Sequence, residues 1–570
     1  MSDQNAARPD GEGRPAEKAR ELVAAGLRGL FATDPTRGRR FAHSLGGLYV
    51  DLSRQLVDDE VLALLLEEAE SRGVLAMRDR MFAGDLVNVT ERRAALHVAL
   101  RAAEGDRYLV DGRDVVADVL EERRRAAALA EGIRTGSVRG AGGAPVGHVV
   151  VVGIGGSHLG PALVCDAFGD LAPEHLDVRF LSNVDPAAFA RATRRLDASA
   201  TFVVVCSKSF TTDETRRNAA AVRRWLSERL GREPEPDAFV AVTARPQVAE
   251  EEGFAQDRIL RFWDWVGGRF SLTSVVGFPV MVALGPDRFE QLLEGFRDVD
   301  VHFRDAAAEA NIPILTGVVA VWNANHLGCS SRVVVPYSTD LALLPAWLQQ
   351  LELESLGKRV RADGTPVGSE TAPALWGGVG TDGQHAFFQW LHQGTWPVSV
   401  DLIGVVEGRH GLPEHHEVLL ANLLAQGRAL AFGRSAHELD SGGDGAEGAP
   451  DLVAHRVVPG DRPSTTILLD RLDPRNLGRL LALYEHEVAV QGWMWGVNPF
   501  DQFGVELGKE LAVRARELLR DGVAGDDADQ SEGVDSDRSD VPEGSDIADP
   551  ATEALVRWVR RSRRQSRSSS

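Results

Sequence analysis

Two stretches of sequence decide the fold, HVVVVGIGGSHLGP (148–161) and ATFVVVCSKSFTTDETRRNAAAVRRWL (200–226). Each starts with a run of valines, passes through a short loop of glycine or hydroxyl residues, and continues with a helical pattern. A continuous run of β-branched residues is typical of a strand in a parallel sheet that is covered on both faces. AFVAVTA (238–244) is a third run of this kind. The pattern therefore predicts an α/β fold with a parallel sheet between helices.

The same alternation returns in the second half of the chain. NIPILTGVVAVWNANHLG (311–328) predicts a helix, SRVVVPYS (331–338) a strand, LLPAWLQQLELESLGK (343–358) another helix, and TTILLDRL (465–472) another strand. A polar, glycine-rich stretch at 435–450 predicts a surface loop. We therefore expect a second α/β lobe.

The composition sets limits on the function. The chain has 570 residues, a net charge of −21 and 44% hydrophobic residues, which excludes wholesale disorder and argues against nucleic acid as a main partner. Its three cysteines, Cys165, Cys206 and Cys329, are too few and too far apart for a disulfide framework or a CxxC metal site. The polar amino terminus and the absence of any run of 18 apolar residues predict a soluble, cytoplasmic protein with no membrane partner.

Lysine is scarce in this chain. Only four of the 63 basic residues are lysines: Lys18, Lys208, Lys358 and Lys509. A lysine carries a compact charge with a tunable pKa, whereas arginine carries a wide planar fork. The last three lysines lie in segments with chemical character, so we expect that arginine would not serve at those positions.

The two loops that follow the valine runs suit a phosphate. GIGGSHLGP (153–161) fails the dinucleotide pattern G-x-G-x-x-G because its sixth residue is His158, but it offers Gly156 and the Ser157 hydroxyl at a helix start. SKSFTT (207–212) is not a Walker A loop, so a nucleoside triphosphate is not expected. It predicts a monophosphate cradle, with a plain helix cap as the alternative. Its residues are Ser207, Lys208, Ser209, Phe210, Thr211 and Thr212.

Other segments carry candidate catalytic groups. On a helix Gln350 and Glu354 share one face, so Glu354 is a candidate general base with Gln350 beside it; the alternative is an ordinary exposed glutamate. Arg269, His385 and Lys509 lie in glycine-flanked segments at 267–271, 380–395 and 500–512. His392, on the same expected helix as His385, competes with it, although either histidine could simply be a core residue.

A metal site is not expected. HEVLL (416–420) and HEVAV (486–490) lack the second histidine of HExxH.

Taken together, the motifs resemble those of the glucose-6-phosphate isomerase (phosphoglucose isomerase) family. The resemblance runs from RDRMFAGDLVNVTERRAALHVALR (78–101) to FDQFGVELGKELA (500–512). Between them lie, in the family's order, VVGIGGS, SKSFTT, FWDWVGGRFS, LQQLELESLGK and GTDGQHAFFQWLHQGT. It implies two SIS-type (sugar isomerase) lobes, each a parallel sheet between helices, in a cytoplasmic homodimer. The implied reaction interconverts D-glucose 6-phosphate and D-fructose 6-phosphate, in glycolysis and gluconeogenesis, without cofactor or metal.

The resemblance also implies roles for particular residues. Glu354 corresponds to the base that moves a proton between C2 and C1 through a cis-enediol, and Arg269 to the cation that stabilises the enediolate. His385, contributed by the neighbouring subunit, and Lys509 correspond to the ring-opening groups. Gln350 lies beside the base, and the phosphate is assigned to Gly156, Ser157 and the 207–212 loop.

Some positions depart from the family pattern. His158 replaces a common Asp, Ser209 a common Thr, Leu356 a common Asn, and Gly378–Val379 a frequent Glu-Pro. Two rival functions stay open. One is a related phosphosugar isomerase, or an isomerase that also accepts mannose 6-phosphate, and the other is a non-catalytic sugar-phosphate sensor on the same lobes.

The predicted organisation has five parts. Residues 1–15 form a disordered lead, and 16–104 a helical segment that packs on the larger lobe. Residues 105–285 form the smaller lobe with the phosphate loops, and 286–521 the larger lobe with the base. Residues 522–570 form a disordered tail, acidic and then arginine-rich. The arginines predict either binding to nucleic acid or another acidic partner, or folding back on the acidic part.

Overall fold

The computed structural model describes residues 13–441, 452–521 and 549–568. The chain divides into two compact units, Met1–Asp501 and Gln502–Ser570. Both large β-sheets belong to the first unit. Within the described ranges, no helix is long and apolar enough to cross a membrane. The lobe boundaries given above stay predictions.

The strands in chain order are β1 (Ala42–Leu45), β2 (Leu48–Arg54), β3 (Leu109–Val110), β4 (Arg113–Asp114), β5 (His148–Val152), β6 (Asp177–Leu181), β7 (Thr201–Cys206), β8 (Phe239–Thr243), β9 (Ile259–Arg261), β10 (Ser331–Tyr337), β11 (Ala374–Gly377), β12 (Val398–Glu407) and β13 (Ser464–Arg471). The helices are α1 (Arg14–Thr33), α2 (Arg37–Arg40), α3 (Asp59–Ser71), α4 (Val74–Ala83), α5 (Val116–Arg134), α6 (Leu159–Ala167), α7 (Pro186–Thr193), α8 (Asp213–Leu230), α9 (Pro246–Glu251), α10 (Phe278–Leu284), α11 (Pro286–Asp305), α12 (Ile312–Asn325), α13 (Leu344–Gln349), α14 (Gly380–Gln384), α15 (Phe388–Gln393), α16 (Pro413–Phe432), α17 (Ala436–Ser441), α18 (Val453–Arg456), α19 (Pro474–Trp495), α20 (Glu506–Asp521) and α21 (Pro550–Ser568).

The first lobe is built on a five-stranded sheet with the order β6-β5-β7-β8-β9, in which every neighbouring pair is parallel. The valine runs form β5 and β7, whose side chains are almost entirely buried, as the sequence predicts. Because β5 and β7 are parallel neighbours, the loops after them emerge at the same edge of the sheet. This pairing brings the two predicted phosphate loops together.

The second lobe has a six-stranded sheet with the order β1-β2-β13-β12-β10-β11. Strands β10 to β13 are parallel, as expected. The sheet also contains a hairpin that the sequence did not predict, β1-β2, whose second strand pairs antiparallel with β13. The hairpin comes from the 16–104 segment, which the sequence predicted to be mostly helical. Gly46, at φ +57°, makes the turn, and residues alternate between buried and half-buried along most of β2.

Two predictions of irregular structure need correction. Residues 435–450 were predicted to form a loop, but α17 forms at 436–441 because Ser435 and Glu438 make a capping box: the Ser435 amide donates to Glu438, and the Glu438 amide to Ser435. The rest of this stretch, 442–450, lies outside the described residues, as do most of the 1–15 lead and residues 522–548 of the tail.

The prediction for the carboxy-terminal tail also needs correction, because part of the second unit is helical. Residues 550–568, predicted to be disordered, form helix α21. Asp549 caps it by accepting hydrogen bonds from the amides of Ala551 and Thr552, both at 3.0 Å. Val556 is buried, and Arg560 donates to the Leu518 carbonyl of α20. Capping and apolar spacing thus outweigh the high arginine content that suggested disorder.

Candidate active site

The candidate base lies on a distorted turn of helix. Helix α13 continues into a π-helical turn, Gln350–Glu354, a distortion that is frequent at functional sites. The Gln350 amide Nε2 donates to Oε2 of Glu354 at 2.9 Å, which agrees with the predicted shared face. The Glu354 side chain is 24% exposed, so the carboxylate is held by protein but still reachable from solvent.

Arg269 is aimed at this carboxylate. It lies in a 3₁₀ turn, Gly268–Phe270, and its side chain is 1% exposed. Nη1 donates to Oε1 of Glu354 at 3.2 Å, and Nε to the Ser355 hydroxyl at 2.6 Å. Burial lowers the pKa of the guanidinium, and the Glu354 charge opposes this shift. Glu354 is therefore held on both oxygens, one by an amide and one by a buried cation.

The glycine turn after β5 lies against Gln350 and against the 3₁₀ turn that carries Arg269. Gly155 has φ +58°, and a Cβ placed there would lie 2.9 Å from Nε2 of Gln350. A Cβ on Gly156 would lie 2.0 Å from the Gly268 carbonyl oxygen. The absence of side chains at these two glycines therefore lets this turn approach Gln350 and the turn that carries Arg269. The predicted glycine loop and the candidate catalytic pair form one site.

The 207–212 loop presents a compact group of hydroxyls before α8. The Ser207 and Thr212 hydroxyl oxygens lie 3.2 Å apart, and Ser207 Oγ accepts from the Phe210 amide at 3.1 Å. The Thr211 hydroxyl donates to that of Ser209 at 2.9 Å. Phe210 is buried with φ +58°, which turns the loop tightly. Hydroxyls at a helix N-terminus favour an anion.

Lys208 lies in this loop too, but its side chain contacts main-chain carbonyls outside the loop. Its ammonium Nζ donates to the carbonyls of Asp264 at 3.0 Å and Val266 at 2.7 Å. Burial lowers the pKa of Lys208 to about 8, and the nearby charge of Arg93 adds to the shift. Two of its three donors thus tie the 207–212 loop to the segment that leads into Arg269.

The sequence did not predict the polar network that holds the Nη2 nitrogen of Arg269. Nη2 of Arg269 donates to the carbonyls of Pro499 at 2.6 Å and Asp501 at 3.0 Å. Lys358 donates to the carbonyls of Asn498 and Asp501 and pairs with the Asp501 carboxylate at 2.7 Å. The scarcity of lysine was the signal that could have found it.

A second buried network contains Glu352, two residues before Glu354. Arg332 donates to three carboxylates: Asp401 at 2.7 Å, Glu352 at 3.1 Å and Glu487 at 2.5 Å. Burial raises the pKa of Glu352 to about 7, with Arg332 opposing and the other two carboxylates adding to the shift. Glu352 therefore belongs to the core, although it is only two residues from Glu354.

The two predicted ring-opening groups are not brought to Glu354 by any hydrogen bond among the described residues. His385 follows α14 with an exposed side chain, and α14 and α15 are separate helices, so it does not share a helix with His392 as predicted. His392 packs on Phe388 and contacts Gln426 Oε1 at 2.9 Å, as a structural histidine would. Lys509 lies exposed on α20 in the second unit.

Two of the departures from the family pattern, His158 and Leu356, have packing partners in the structure. The His158 ring packs 5.6 Å from that of Phe180, and burial lowers the pKa of the imidazole. Leu356 is fully buried, and a Cβ on Gly492 would lie 3.3 Å from it. Leu356 thus fills core space, and the His158 ring packs on Phe180 next to the glycine turn.

Known proteins are similar to this chain over most of its length. The family model of phosphoglucose isomerase matches residues 51–534. A glucose-6-phosphate isomerase of Anaeromyxobacter dehalogenans is 51% identical over 498 residues, covering 87% of this chain and 90% of its own. One of Rhodococcus opacus is 46% identical over 552 residues, covering 95% and 96%.

A solved structure is also similar. The crystal structure of a glucose-6-phosphate isomerase from Chlamydia trachomatis superposes with a TM-score of 0.78 at 33% identity, covering 89% of this chain and 96% of that one. The predicted fold class of two α/β lobes is confirmed, and so is the resemblance drawn from the motifs. This chain belongs to the phosphoglucose isomerase family.

Proposed function

We propose that this isomerase interconverts glucose 6-phosphate and fructose 6-phosphate by moving one proton between C2 and C1, with Glu354 as the base. One observation carries the proposal: the Glu354 carboxylate is held by Gln350 and Arg269 beside a turn suited to phosphate. A positioned carboxylate that removes a proton α to a carbonyl contributes about 10²–10⁴ in rate. The proton leaves C2 of the open-chain aldose, and the same carboxyl returns it to C1 of the cis-enediol.

Arg269 stabilises the negative charge that develops on the enediolate oxygen. Because the guanidinium is buried and held by hydrogen bonds from Nε, Nη1 and Nη2, it does not have to reorganise as that charge forms. A buried cation also acts in a medium of lower dielectric constant than water, which strengthens its interaction with the developing charge.

The phosphate binds between the loops that follow β5 and β7. Ser157, with the Gly156 backbone, supplies one side, and the hydroxyls of 207–212 supply the other. A Cβ on Gly153 would lie 3.0 Å from the Cys206 carbonyl oxygen, at the end of β7, and 3.0 Å from Cβ of Ser157, which supports a single site formed by both loops. Lys208 has one donor beyond its two carbonyl contacts to offer a phosphate oxygen. Binding the phosphate away from the reacting carbons fixes their orientation.

Ring opening falls to His385 and Lys509 in this proposal. The enzyme works as a cytoplasmic homodimer in which His385 reaches the active site of the neighbouring subunit. The exposed position of His385, with no hydrogen bond from its imidazole to any described residue, supports a role outside its own subunit.

A coupled assay tests the reaction. Fructose 6-phosphate is supplied, and glucose 6-phosphate is measured through its dehydrogenase, with Glu354→Gln as the comparison. We expect robust turnover by the wild type and almost none by the variant. A wild type that binds sugar phosphate without turnover would instead identify a sensor.

Mixing two inactive variants tests the shared site. A dimer of Glu354→Gln with His385→Ala contains one intact site if His385 acts across the interface. Refolding an equal mixture should recover about one quarter of wild-type activity, since half of the dimers are hybrid. No recovery from a mixture shown to contain hybrid dimers would place His385 in its own subunit's site.

A further inference from the structure

The orientation of Arg269 depends on a short loop far away in sequence. Its Nη2 nitrogen rests on two main-chain carbonyls, of Pro499 at 2.6 Å and Asp501 at 3.0 Å. Any shift of this loop would therefore move the guanidinium relative to Glu354, whose Oε1 lies 3.2 Å from Nη1. What fixes the 498–501 loop also fixes the cation.

Lys358 holds this loop. Its Nζ donates to the Asn498 carbonyl, to the Asp501 carbonyl at 3.0 Å, and to Oδ1 of the Asp501 carboxylate at 2.7 Å. The Asp501 carbonyl oxygen therefore accepts from Lys358 and from Arg269 at the same time. Lys358 and Arg269 are linked through one shared acceptor.

The other oxygen of the Asp501 carboxylate is also fixed. Oδ2 accepts from the Thr90 hydroxyl at 2.5 Å and from Nδ2 of Asn498 at 2.8 Å. Asn498 reaches the Asn88 side-chain oxygen at 2.8 Å as well. The Asp501 side chain is 6% exposed and that of Lys358 16%, so the ion pair is shielded from water. A shielded, fully bonded pair holds its geometry more firmly than an exposed one.

The residue type fits this place. Three acceptors surround one nitrogen atom, which matches the three donors of an ammonium group. A guanidinium spreads its donors over a wide plane and needs more room. In a chain where only four of 63 basic residues are lysines, a lysine in this cage is a specific choice.

We propose that Lys358 is a positioning residue that, through Asp501, holds the carbonyls that aim Arg269 at the reacting carbons. The proposal rests on the function proposed for Arg269 above. Lys358 acts through Arg269 and touches no reacting atom. Its removal should therefore slow the chemical step and leave substrate binding nearly unchanged.

A double-mutant cycle on the full-length enzyme tests this. Lys358→Met should lower kcat about tenfold to a hundredfold and leave KM nearly unchanged. In an Arg269→Met background, with no guanidinium to position, the same change should cost less than about twofold. The primary isotope effect on kcat with substrate deuterated at C2 should also rise. Lys18→Met is the control. Lys18 lies in α1 and pairs with Glu21 and with Glu60 of α3, so its replacement should leave kcat and KM unchanged.

Two further variants sharpen the test. The kcat of Lys358→Arg should fall nearly as far as that of Lys358→Met, because the three acceptors around Nζ suit an ammonium group. If Lys358→Met does not fold in thermal unfolding assays, Asp501→Asn takes its place and should show the same dependence on Arg269.

Equal kcat losses in both backgrounds, or a loss confined to KM, would overturn the proposal. A wild-type kcat in Lys358→Arg would overturn the requirement for an ammonium. An inactive wild-type enzyme would contradict the proposed function itself, and the two failures are therefore distinguishable.

Discussion

Arg269 and Glu354 are 85 positions apart in sequence, and yet Nη1 of the arginine donates to Oε1 of the glutamate at 3.2 Å. The arginine is almost completely buried, whereas about a quarter of the glutamate side chain is exposed. The pair therefore places a fixed cation behind a carboxylate that substrate can reach. This arrangement suits a reaction in which the carboxylate takes a proton and negative charge grows on a nearby oxygen.

The first prediction concerns the cation. Arg269→Lys should lower kcat about 10²–10³-fold with a small effect on KM, because lysine keeps the charge but loses the oriented donors. It should also lower the free energy of unfolding by about 1–3 kcal/mol, since buried acceptors at Ser355 and Pro499 lose their donors. Steady-state kinetics and denaturant unfolding measure the two effects. Arg72→Lys, at an exposed pair on α3, should change neither.

The second prediction concerns the phosphate loop. Ser207→Ala removes a hydroxyl that accepts from the Phe210 amide and contacts Thr212. We expect KM for fructose 6-phosphate to rise about tenfold with kcat less affected, because the phosphate is bound alike in ground and transition states. The control is Ser227→Ala. Ser227 lies near the end of α8, where its hydroxyl donates to the Arg223 carbonyl, and the variant should behave as wild type. An unchanged KM for Ser207→Ala would remove this hydroxyl from the site.

The third prediction separates backbone strain at Gly155 from contact with Gln350, the residue that holds Glu354. Ala at position 155 must adopt φ +58°, and its Cβ would press on Nε2 of Gln350, 2.9 Å away. Gly155→Ala should therefore lower stability by about 1 kcal/mol and also lower kcat, since Gln350 no longer holds Glu354. Gly231→Ala has a similar φ of +67° with open space around it, so it should lose stability alone. Equal kcat values for the two variants would contradict the contact.

The fourth prediction follows from the buried cluster at Arg332. Burial raises the pKa of Glu352 to about 7 in the folded state, whereas an unfolded glutamate titrates at about 4.3. Between these values the folded state binds more protons, so raising the pH through this window destabilises the wild type. Glu352→Gln removes this term. As the pH rises from 5 to 8, the free energy of unfolding of Glu352→Gln, measured by denaturant titration, should increase relative to that of the wild type. Parallel pH dependences of the two proteins would show that Glu352 is ionised throughout.

Sequence was sufficient where a local pattern decides the structure. The valine runs of β5 and β7 are buried because nothing polar interrupts them, and parallel pairing then brings the loops after them together. The i, i+4 spacing likewise brought Gln350 to Glu354. The π-helical form of that turn was not predicted, because single-residue spacing does not distinguish it from an α-helical turn.

Sequence was insufficient where a distant segment supplies the partner. The hairpin β1-β2 is stabilised by pairing with β13, about 400 residues later, and helical composition around it hid its alternation. The roles proposed for Lys358 and Asp501 depend on the 498–501 loop, which is distant in sequence from Arg269. Helix α21 gains its buried contact from α20, which composition alone does not reveal.

The central claim is that Glu354 carries the proton between C2 and C1. The most direct measurement is the release to solvent of tritium from C2 of glucose 6-phosphate, together with its transfer to C1 of fructose 6-phosphate, in wild type and Glu354→Gln. We predict that the wild type does both and that the variant, with substrate still bound, loses both by about 10²–10⁴-fold. Exchange and transfer at near wild-type rates in Glu354→Gln would contradict the account and assign the proton to another group.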